Sequence, residues 1–191
     1  CATSSWGPEC PGTMDHIAAM AEARHKSMIR LLREDDVEAY LALRRESLLS
    51  APLAFASSPD DDLALNMATL RSYLGAFPDE VIIGAFGDSL VGAVGLFRDR
   101  HKKSAHKAHI WGMYVRAAHR RQGFGSQLLE AALHHARNLP GVSWVHLSVT
   151  TAAPEARQLY ESAGFRVWGS EPESIRHEGQ SVSEIHMALE L

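Results

Sequence analysis

Residues 108–126, AHIWGMYVRAAHRRQGFGS, combine a short apolar run, a pair of arginines and two closely spaced glycines. The run around Trp111 is rich in β-branched and aromatic residues, which predicts a strand. Gly112 interrupts the run, as is typical of a β-bulge or of a close approach by another backbone or a ligand. After Ser126, leucines and alanines recur at helical spacing as far as Ala136. The stretch therefore predicts a strand, a glycine loop and the start of a helix.

The start of this predicted helix is suited to an anion. A helix N-terminus offers free backbone N–H groups and the positive end of the helix dipole. Gly123 and Gly125 lack a Cβ, so a bulky anion can lie against the backbone. Arg120 and Arg121 add forked donors that match phosphate oxygens. The sequence therefore predicts a phosphate or pyrophosphate ligand.

The spacing of the glycines argues against two common phosphate loops. A Walker loop needs a lysine before its Ser or Thr, whereas Gly125 is followed directly by Ser126. A Rossmann loop needs a third glycine, whereas position 128 is a leucine. What remains is Arg/Gln-x-x-Gly-x-Gly/Ala between a bulged strand and a helix. On this loop alone, a solvent-exposed turn from strand to helix stays an alternative.

A second motif follows one predicted strand later. Residues 142–150 alternate as a strand does, and residues 153–165, APEARQLYESAGF, have Pro154 where a helix begins and Gly164 where it ends. This segment resembles the pattern Asn-x-x-Ala-x-x-Leu-Tyr-x-x-x-Gly-Phe of the GNAT superfamily of acyl-CoA-dependent N-acyltransferases. The earlier glycine loop resembles the acetyl-CoA loop of the same superfamily. One departure is Ala153, which stands where the pattern has asparagine.

The resemblance covers about residues 28–191 and implies an α/β fold. It implies a twisted, mixed and mostly antiparallel sheet with helices on both faces, in the order β-α-α-β-β-β-α-β-α-β-β. The sheet is expected to splay between the strand that holds Met113 and the strand that holds Leu147, with the pantetheine arm of the cofactor in the gap. We expect residues 1–27 to be a flexible or partly helical leader before the GNAT domain, residues 28–191.

The resemblance also implies acetyl-CoA as the cosubstrate. The main chain of the central strand would bond the pantetheine and the thioester oxygen, and the glycine loop would bind the pyrophosphate. The implied cofactor-binding residues are Met113, Tyr114, Val115, Arg120, Arg121, Gln122, Gly123, Phe124, Gly125, Ser126, Ala153, Ala156 and Tyr160.

Two residues are candidates for proton transfer. The resemblance places Tyr160 beside the CoA sulfur, and a phenol can give a proton to a departing thiolate. The central strand of many members carries a glutamate where this sequence has His109. Histidine can serve as a base near neutral pH, although proton removal through water is an equal alternative. The expected reaction is direct transfer of an acetyl group to a small-molecule or protein amine. The alternative is a non-catalytic acyl-CoA-binding regulatory module.

Composition limits the binding partners and the cellular location that we expect for this protein. The net charge is −4, and no apolar run is long enough to cross a bilayer, so neither nucleic acid nor a membrane is expected. The cysteines, Cys1 and Cys10, predict no thiolate metal site, and we expect no metal. We expect a cytoplasmic protein with an amine substrate, and a homodimer stays open.

Three further expectations concern the rest of the chain. Residues 59–62, PDDD, predict the start of a second helix. The basic connection at 98–107 is either a solvated hairpin tip or an aid to holding a CoA phosphate or an acidic partner. The final strands are expected at 166–170 and 184–189, joined by a polar connection. The resemblance implies an amine-acceptor site among Leu53 to Ser58, Tyr73 and Glu171 to Ser181.

Overall fold

The computed structural model describes residues 28–191, so the predicted leader and both cysteines lie outside the described part. Its elements follow in the order β1 (Met28–Leu31), α1 (Val37–Ser50), α2 (Met67–Gly75), β2 (Glu80–Phe86), β3 (Leu90–Arg98), β4 (Lys107–Val115), α3 (Phe124–Arg137), β5 (Trp144–Thr150), α4 (Pro154–Ser162), β6 (Arg166–His177) and β7 (Gln180–Glu190). The predicted fold class and order of elements are confirmed.

The strands form one seven-stranded sheet in the order β1-β2-β3-β4-β5-β7-β6. Every neighbouring pair is antiparallel except β4 and β5, which are parallel. The β4–β5 pairing runs only from Lys107 opposite Trp144 to His109 opposite His146. Beyond this point β4 continues to Val115 and β5 to Thr150, but the two strands no longer pair with each other. The sheet therefore opens between them, as the resemblance implies.

Helices cover the sheet on both faces and bury two apolar clusters. On one face α3 and α4 contribute Leu128, Leu129 and Tyr160 to a cluster that includes Val145 of β5. On the other face α1 and α2 contribute residues that include Leu43 and Leu70 to a second cluster. Burial of such side chains stabilises the fold by about 25 cal/mol for each Å² removed from water. Strand β4 serves both clusters and forms the middle of the molecule.

The prediction that the second helix begins at 59–62 is wrong. Helix α2 begins at Met67, after a short 3₁₀ turn at Leu63–Leu65, and Asn66 caps it by accepting a hydrogen bond from the Thr69 N–H at 3.0 Å. The aspartates of the predicted start have other partners. Asp61 accepts from the Ser58 N–H, and Asp62 is bound by a distant arginine. Asp61 is thus part of a local turn, Asp62 is held in an ion pair, and Asn66 caps the helix instead.

The final hairpin is longer than predicted. Strands β6 and β7 extend through the polar connection and meet at a turn near Gly179, whose φ is +79°. The pairing shifts register between Glu171 and Ile175. Most of β6 is exposed, so its sequence lacks the alternation of apolar and polar residues that marks a half-buried strand.

Candidate active site

A cleft of about 450 Å³ opens where β4 and β5 part. It lies between β4, the start of α3 and the start of α4. Nine of the predicted cofactor residues line it: Met113, Tyr114, Val115, Arg120, Arg121, Gly125, Ala153, Ala156 and Tyr160. Both sequence motifs therefore meet at one place in the fold.

The other four predicted cofactor residues do not line this cleft with the rest. The Phe124 side chain is buried in the core beneath α3, and the Gln122 side-chain amide donates to the Ala118 carbonyl oxygen. Ser126 is exposed, and Gly123 is the N-cap of α3 with φ +86°. For these residues only the backbone or an exposed hydroxyl is free to meet a ligand.

The start of α3 presents unpaired backbone donors. The first bond of the helix runs from the Gln127 N–H to the Gly123 carbonyl oxygen at 3.0 Å. Within residues 28–191, no backbone acceptor receives the N–H groups of Phe124, Gly125 or Ser126. Arg121 has a positive φ of 60°, a conformation that costs a residue with a side chain free energy and that clusters at functional sites. The loop thus leaves three backbone donors without a backbone acceptor, and one of them belongs to Gly125, which lines the cleft.

Gly125 allows a close approach between two helices. A Cβ built on it would lie 3.4 Å from Cδ2 of Leu159 on α4 and 3.8 Å from Cε of Met113 on β4. The absence of a side chain keeps the space between α3 and α4 open at the cleft. A larger residue would enter that space from the floor.

Tyr160 is buried and directs its hydroxyl at β4. The phenol donates to the Met113 sulfur at 3.4 Å, and its ring meets Phe165 edge-on. Burial raises the pKa of Tyr160 to about 12, so the phenol keeps its proton throughout the neutral range. Tyr160 is therefore a core residue whose hydroxyl donates a hydrogen bond to Met113, and both residues line the cleft.

Tyr114, also predicted, points away from Tyr160 into the α1 face. Its hydroxyl lies 2.9 Å from Ser50 Oγ and donates to Glu46 Oε1 at 3.2 Å. Glu46 in turn pairs with Arg116 at 3.0 Å, and the Arg120 guanidinium lies over the Tyr114 ring. This network fixes the end of β4 next to the glycine loop.

The structure places His109 outside this cleft, at the last residue pair before β4 and β5 diverge. Its Nε2 lies 3.2 Å from Asp99 Oδ1, and its ring stacks on Phe97 at 4.9 Å. Asp99 and Phe97 both line a second cavity, on the α1–α2 face of the sheet. His109 therefore contacts two residues that line the second cavity, and it does not line the cleft that holds Tyr160.

The second cavity has a volume of about 680 Å³. Its floor includes Trp111, which meets Tyr73 edge-on at 5.7 Å. Ser57 and Tyr73, both in the predicted acceptor region, line it, whereas residues 171–181 do not. Arg98, Arg100 and His101 from the basic connection line it too, so the beginning of that connection is part of a cavity wall.

A buried ion pair, which the sequence analysis missed, stands in the wall of this cavity. Arg44 of α1 donates to Asp62 Oδ2 at 2.6 Å, and both side chains are at least nine-tenths buried. Burial would raise the pKa of Asp62, but hydrogen bonds from Arg44 and Ser57 outweigh it and hold the pKa below its usual range. The available signal was spacing: Arg44 is four residues from Tyr40 and from Leu48 on the buried side of α1.

The sequence profile of the Acetyltransferase (GNAT) family matches residues 41–165, which include the cleft and both motifs. The chain belongs to the GNAT acetyltransferase family. Serotonin N-acetyltransferase from Macaca mulatta is 27% identical over 198 residues, 96% of this chain and 90% of that protein. The general activity that these matches support is acetyl transfer.

Solved GNAT structures share the fold. A GNAT acetyltransferase from Streptococcus pneumoniae superposes with a TM-score of 0.76 at 22% identity, covering 87% of this chain and all of that one, 100%. The structure of yncA from Salmonella typhimurium, solved with its cofactor acetyl-CoA, has a TM-score of 0.76 at 18% identity and covers 87% of this chain and 94% of that one. These likenesses concern the fold alone.

No helix in residues 28–191 is long and apolar enough to cross a membrane. Their one cluster with metal-ligand spacing is Glu171, Glu184 and His186, whose ligand atoms lie within 4.8 Å of one another. These residues line neither of the two cavities described above, and the expectation that the GNAT reaction here uses no metal stays a prediction.

Proposed function

We propose that this GNAT protein is an N-acetyltransferase that moves an acetyl group from acetyl-CoA to an amine by direct attack. The observation that carries the proposal is the cleft at the opening of the sheet, which brings together the β4 strand end, the α3 N-terminus and the Tyr160 phenol. In this proposal the pyrophosphate lies on the N–H groups of residues 124–126 beside Arg120 and Arg121. The pantetheine runs along β4 past Met113, Tyr114 and Val115.

The backbone of β4 supports carbonyl activation. Gly112 adopts φ +61° and the β3–β4 register shifts between Ala93 and Gly95, so the strand bulges next to Met113. Pairing with β5 has already ended there, which leaves main-chain groups on that edge free for a thioester. Donors that are fixed before the reaction stabilise a developing oxyanion strongly.

Tyr160 supports departure of the thiolate. In this proposal the thioester sulfur lies beside the Tyr160 phenol, which lines the cleft together with Met113. With a pKa of about 12, the phenol is protonated when CoA leaves and can donate its proton to the thiolate.

The second cavity is the proposed acceptor site. It lies on the other side of β4 from Tyr160, and its wall holds Asp99, the partner of His109. An amine must lose a proton to complete the transfer, and the Asp99–His109 pair is the proposed destination, directly or through water.

The deciding experiment is thiol release from acetyl-CoA with a panel of amines. Release that depends on an added amine supports the proposal. If the protein binds CoA but releases no thiol with any amine, the non-catalytic acyl-CoA-binding reading replaces it.

Gly125→Val tests the cofactor site. The added methyl groups should push into the space beside Leu159 and Met113 and weaken CoA binding by at least about tenfold, because the floor of the cleft is filled. Calorimetry measures the affinity. Gly75→Ala is the matched control, since a Cβ there meets nothing within 4 Å. Unchanged CoA affinity in Gly125→Val would contradict the assignment of the cleft.

A further inference from the structure

Unpaired buried polar atoms concentrate in the wall of the second cavity. Arg44 Nε, Arg44 Nη1, Asp62 Oδ1 and Trp111 Nε1 are all buried without a hydrogen-bond partner in the described part of the chain. All three residues line the cavity. A buried polar group without a partner costs free energy, so a ligand that supplies the partner gains affinity. Three of the four atoms are N–H donors, which calls for an acceptor on the ligand.

The position of Arg44 limits where that acceptor lies on the ligand. A Cβ built on Gly112 would be 3.6 Å from Arg44 Nη1, so the unpaired guanidinium edge is next to the β4 bulge. The bulge is where the proposed reaction takes place. A hydrogen-bond acceptor that reaches Arg44 must therefore lie within a few bonds of the reacting amine.

The charge of the wall disfavours a carboxylate in this role. Four carboxylates, from Asp61, Asp62, Glu80 and Asp99, line the cavity against three guanidinium groups. Each guanidinium already has a carboxylate partner: Arg44 pairs with Asp62, Arg98 with Asp79 and Arg100 with Glu80. A ligand carboxylate would therefore add to a lining that has one more carboxylate than guanidinium groups, whereas an ammonium group or a neutral carbonyl would not.

Aromatic side chains supply the remaining surface. Trp111 and Tyr73 form an edge-on pair, and Phe97 lies beside them in the lining. Gly95 is required for this arrangement, because a Cβ on it would lie 2.1 Å from the Trp111 indole. Flat apolar groups pack well against such a floor.

From these observations we infer that the acceptor is an α-amino amide with an apolar or aromatic side chain, as found in an amino-acid amide or at a peptide N-terminus. Its carbonyl accepts from Arg44 and Trp111, its side chain packs on the aromatic floor, and its amine faces the bulge. The inference rests on the proposed function and specifies the substrate class of that site.

A matched set of acceptors tests it: phenethylamine has no carbonyl, phenylalaninamide has a neutral one, and phenylalanine has a carboxylate. We expect kcat/KM to be highest for phenylalaninamide. The tripeptide Phe-Ala-Ala distinguishes a small amide from a peptide N-terminus. The carbonyl also lowers the basicity of the amine, so the acceptors differ in more than hydrogen bonding. The decisive quantity is therefore the ratio of kcat/KM for phenylalaninamide to kcat/KM for phenethylamine, the amide-to-amine ratio. Its change between wild type and a variant is informative because the amine chemistry is the same in both enzymes.

Two variants address the donors separately. Arg44→Lys keeps a cation for Asp62 but removes the unpaired guanidinium edge, and Trp111→Phe keeps a ring but removes the indole N–H. Each should lower the amide-to-amine ratio by about tenfold, the effect of one lost hydrogen bond. Arg71→Lys, in an exposed ion pair with Glu34, is the control and should leave the ratio unchanged. Melting temperatures verify folding, and Trp111→Phe alone decides the matter if Arg44→Lys does not fold.

The outcomes separate this inference from the proposed function. If phenethylamine is turned over as well as the amide, or if neither variant changes the ratio, ordered water pairs the buried atoms and the inference fails while acetyl transfer stands. If phenylalanine equals the amide, the charge argument fails. If no amine is turned over, calorimetry with CoA bound decides: preferential binding of phenylalaninamide supports the site, and equal or absent binding overturns it.

Discussion

At the residue scale, Tyr160 carries the most direct prediction. Tyr160→Phe keeps the buried ring and removes only the hydroxyl that contacts Met113, so the fold should be retained. We expect kcat and kcat/KM to fall together by about 10²-fold, the low end for general acid–base catalysis. Because burial raises the pKa of Tyr160 to about 12, the wild-type rate should show no loss from this group up to about pH 10.

Steady-state kinetics on a reactive amine, with acetyl-CoA affinity measured separately, make that comparison. Tyr40→Phe is a matched control, since Tyr40 is equally buried but belongs to the apolar cluster on the α1–α2 face. A Tyr160→Phe enzyme as fast as wild type would assign the residue to packing alone.

His109 gives a second prediction at this scale. If the Asp99–His109 pair receives the amine proton, His109→Gln should lower kcat/KM at least several-fold, because glutamine cannot take up that proton. Glutamine keeps a polar group near Asp99, which limits the structural effect. Steady-state kinetics with wild type alongside are the readout. A kcat/KM equal to that of wild type would direct proton removal to water.

At the element scale, helix α4 begins without a side chain that caps its first turn. Ala153 stands at the cap position with no side-chain hydrogen bond, where the family pattern has asparagine. Ala153→Asn should stabilise the protein by about 1 kcal/mol, because the new side chain can accept from a free N–H of the first turn. For a chain of this size the melting temperature should rise by about 2–4 °C.

Thermal unfolding of Ala153→Asn and of Ala153→Gly makes the comparison specific to the cap, since glycine adds no side-chain acceptor. Because Ala153 lines the cleft, acetyl-CoA affinity should be followed in the same variants. An unchanged melting temperature in Ala153→Asn would show that the geometry at this helix start does not admit a cap.

At the scale of the whole molecule, packed histidine rings couple stability to pH. Burial, followed by the charges of His109 and Lys107, lowers the pKa of His146. The unfolded chain therefore binds more protons than the native one as the pH falls below the ordinary histidine pKa of about 6.5, so stability drops there. The pKa of Asp99 is lowered despite burial, chiefly by His109, which adds a separate loss below about pH 4.

The loss of stability that we attribute to His146 is tested with His146→Phe, which keeps a ring between Trp144 and Trp168. Between pH 7 and 5 its melting temperature should fall less than that of wild type, since the group that takes up the proton on unfolding is gone. Thermal unfolding across this range is the measurement. His177→Phe, in an exposed position next to the hairpin turn, should follow wild type. Parallel curves for His146→Phe and wild type would refute the linkage.

The sequence by itself determined the elements around the cleft. Gly112, the glycine loop and the helix after Ser126 are specified by local chemistry: positive φ, free N–H groups and apolar spacing over one or two turns. The two motifs follow one another within a short stretch of chain, so their order and their common cleft could be anticipated. The family match over residues 41–165 confirms the family that the two motifs indicated.

Only the tertiary structure decided the second cavity. Arg44 and Asp62 lie 18 residues apart, on a helix and on a loop. The spacing of Arg44 from Tyr40 and Leu48 puts it on the buried side of α1, but nothing in the sequence identifies Asp62 as its partner. Their pairing removes both from water, and Asp62 is therefore engaged with Arg44 and does not cap the helix predicted at 59–62. Such a pair forms only when packing places the groups in contact, because the cost of desolvation must be offset by geometry that no local pattern records.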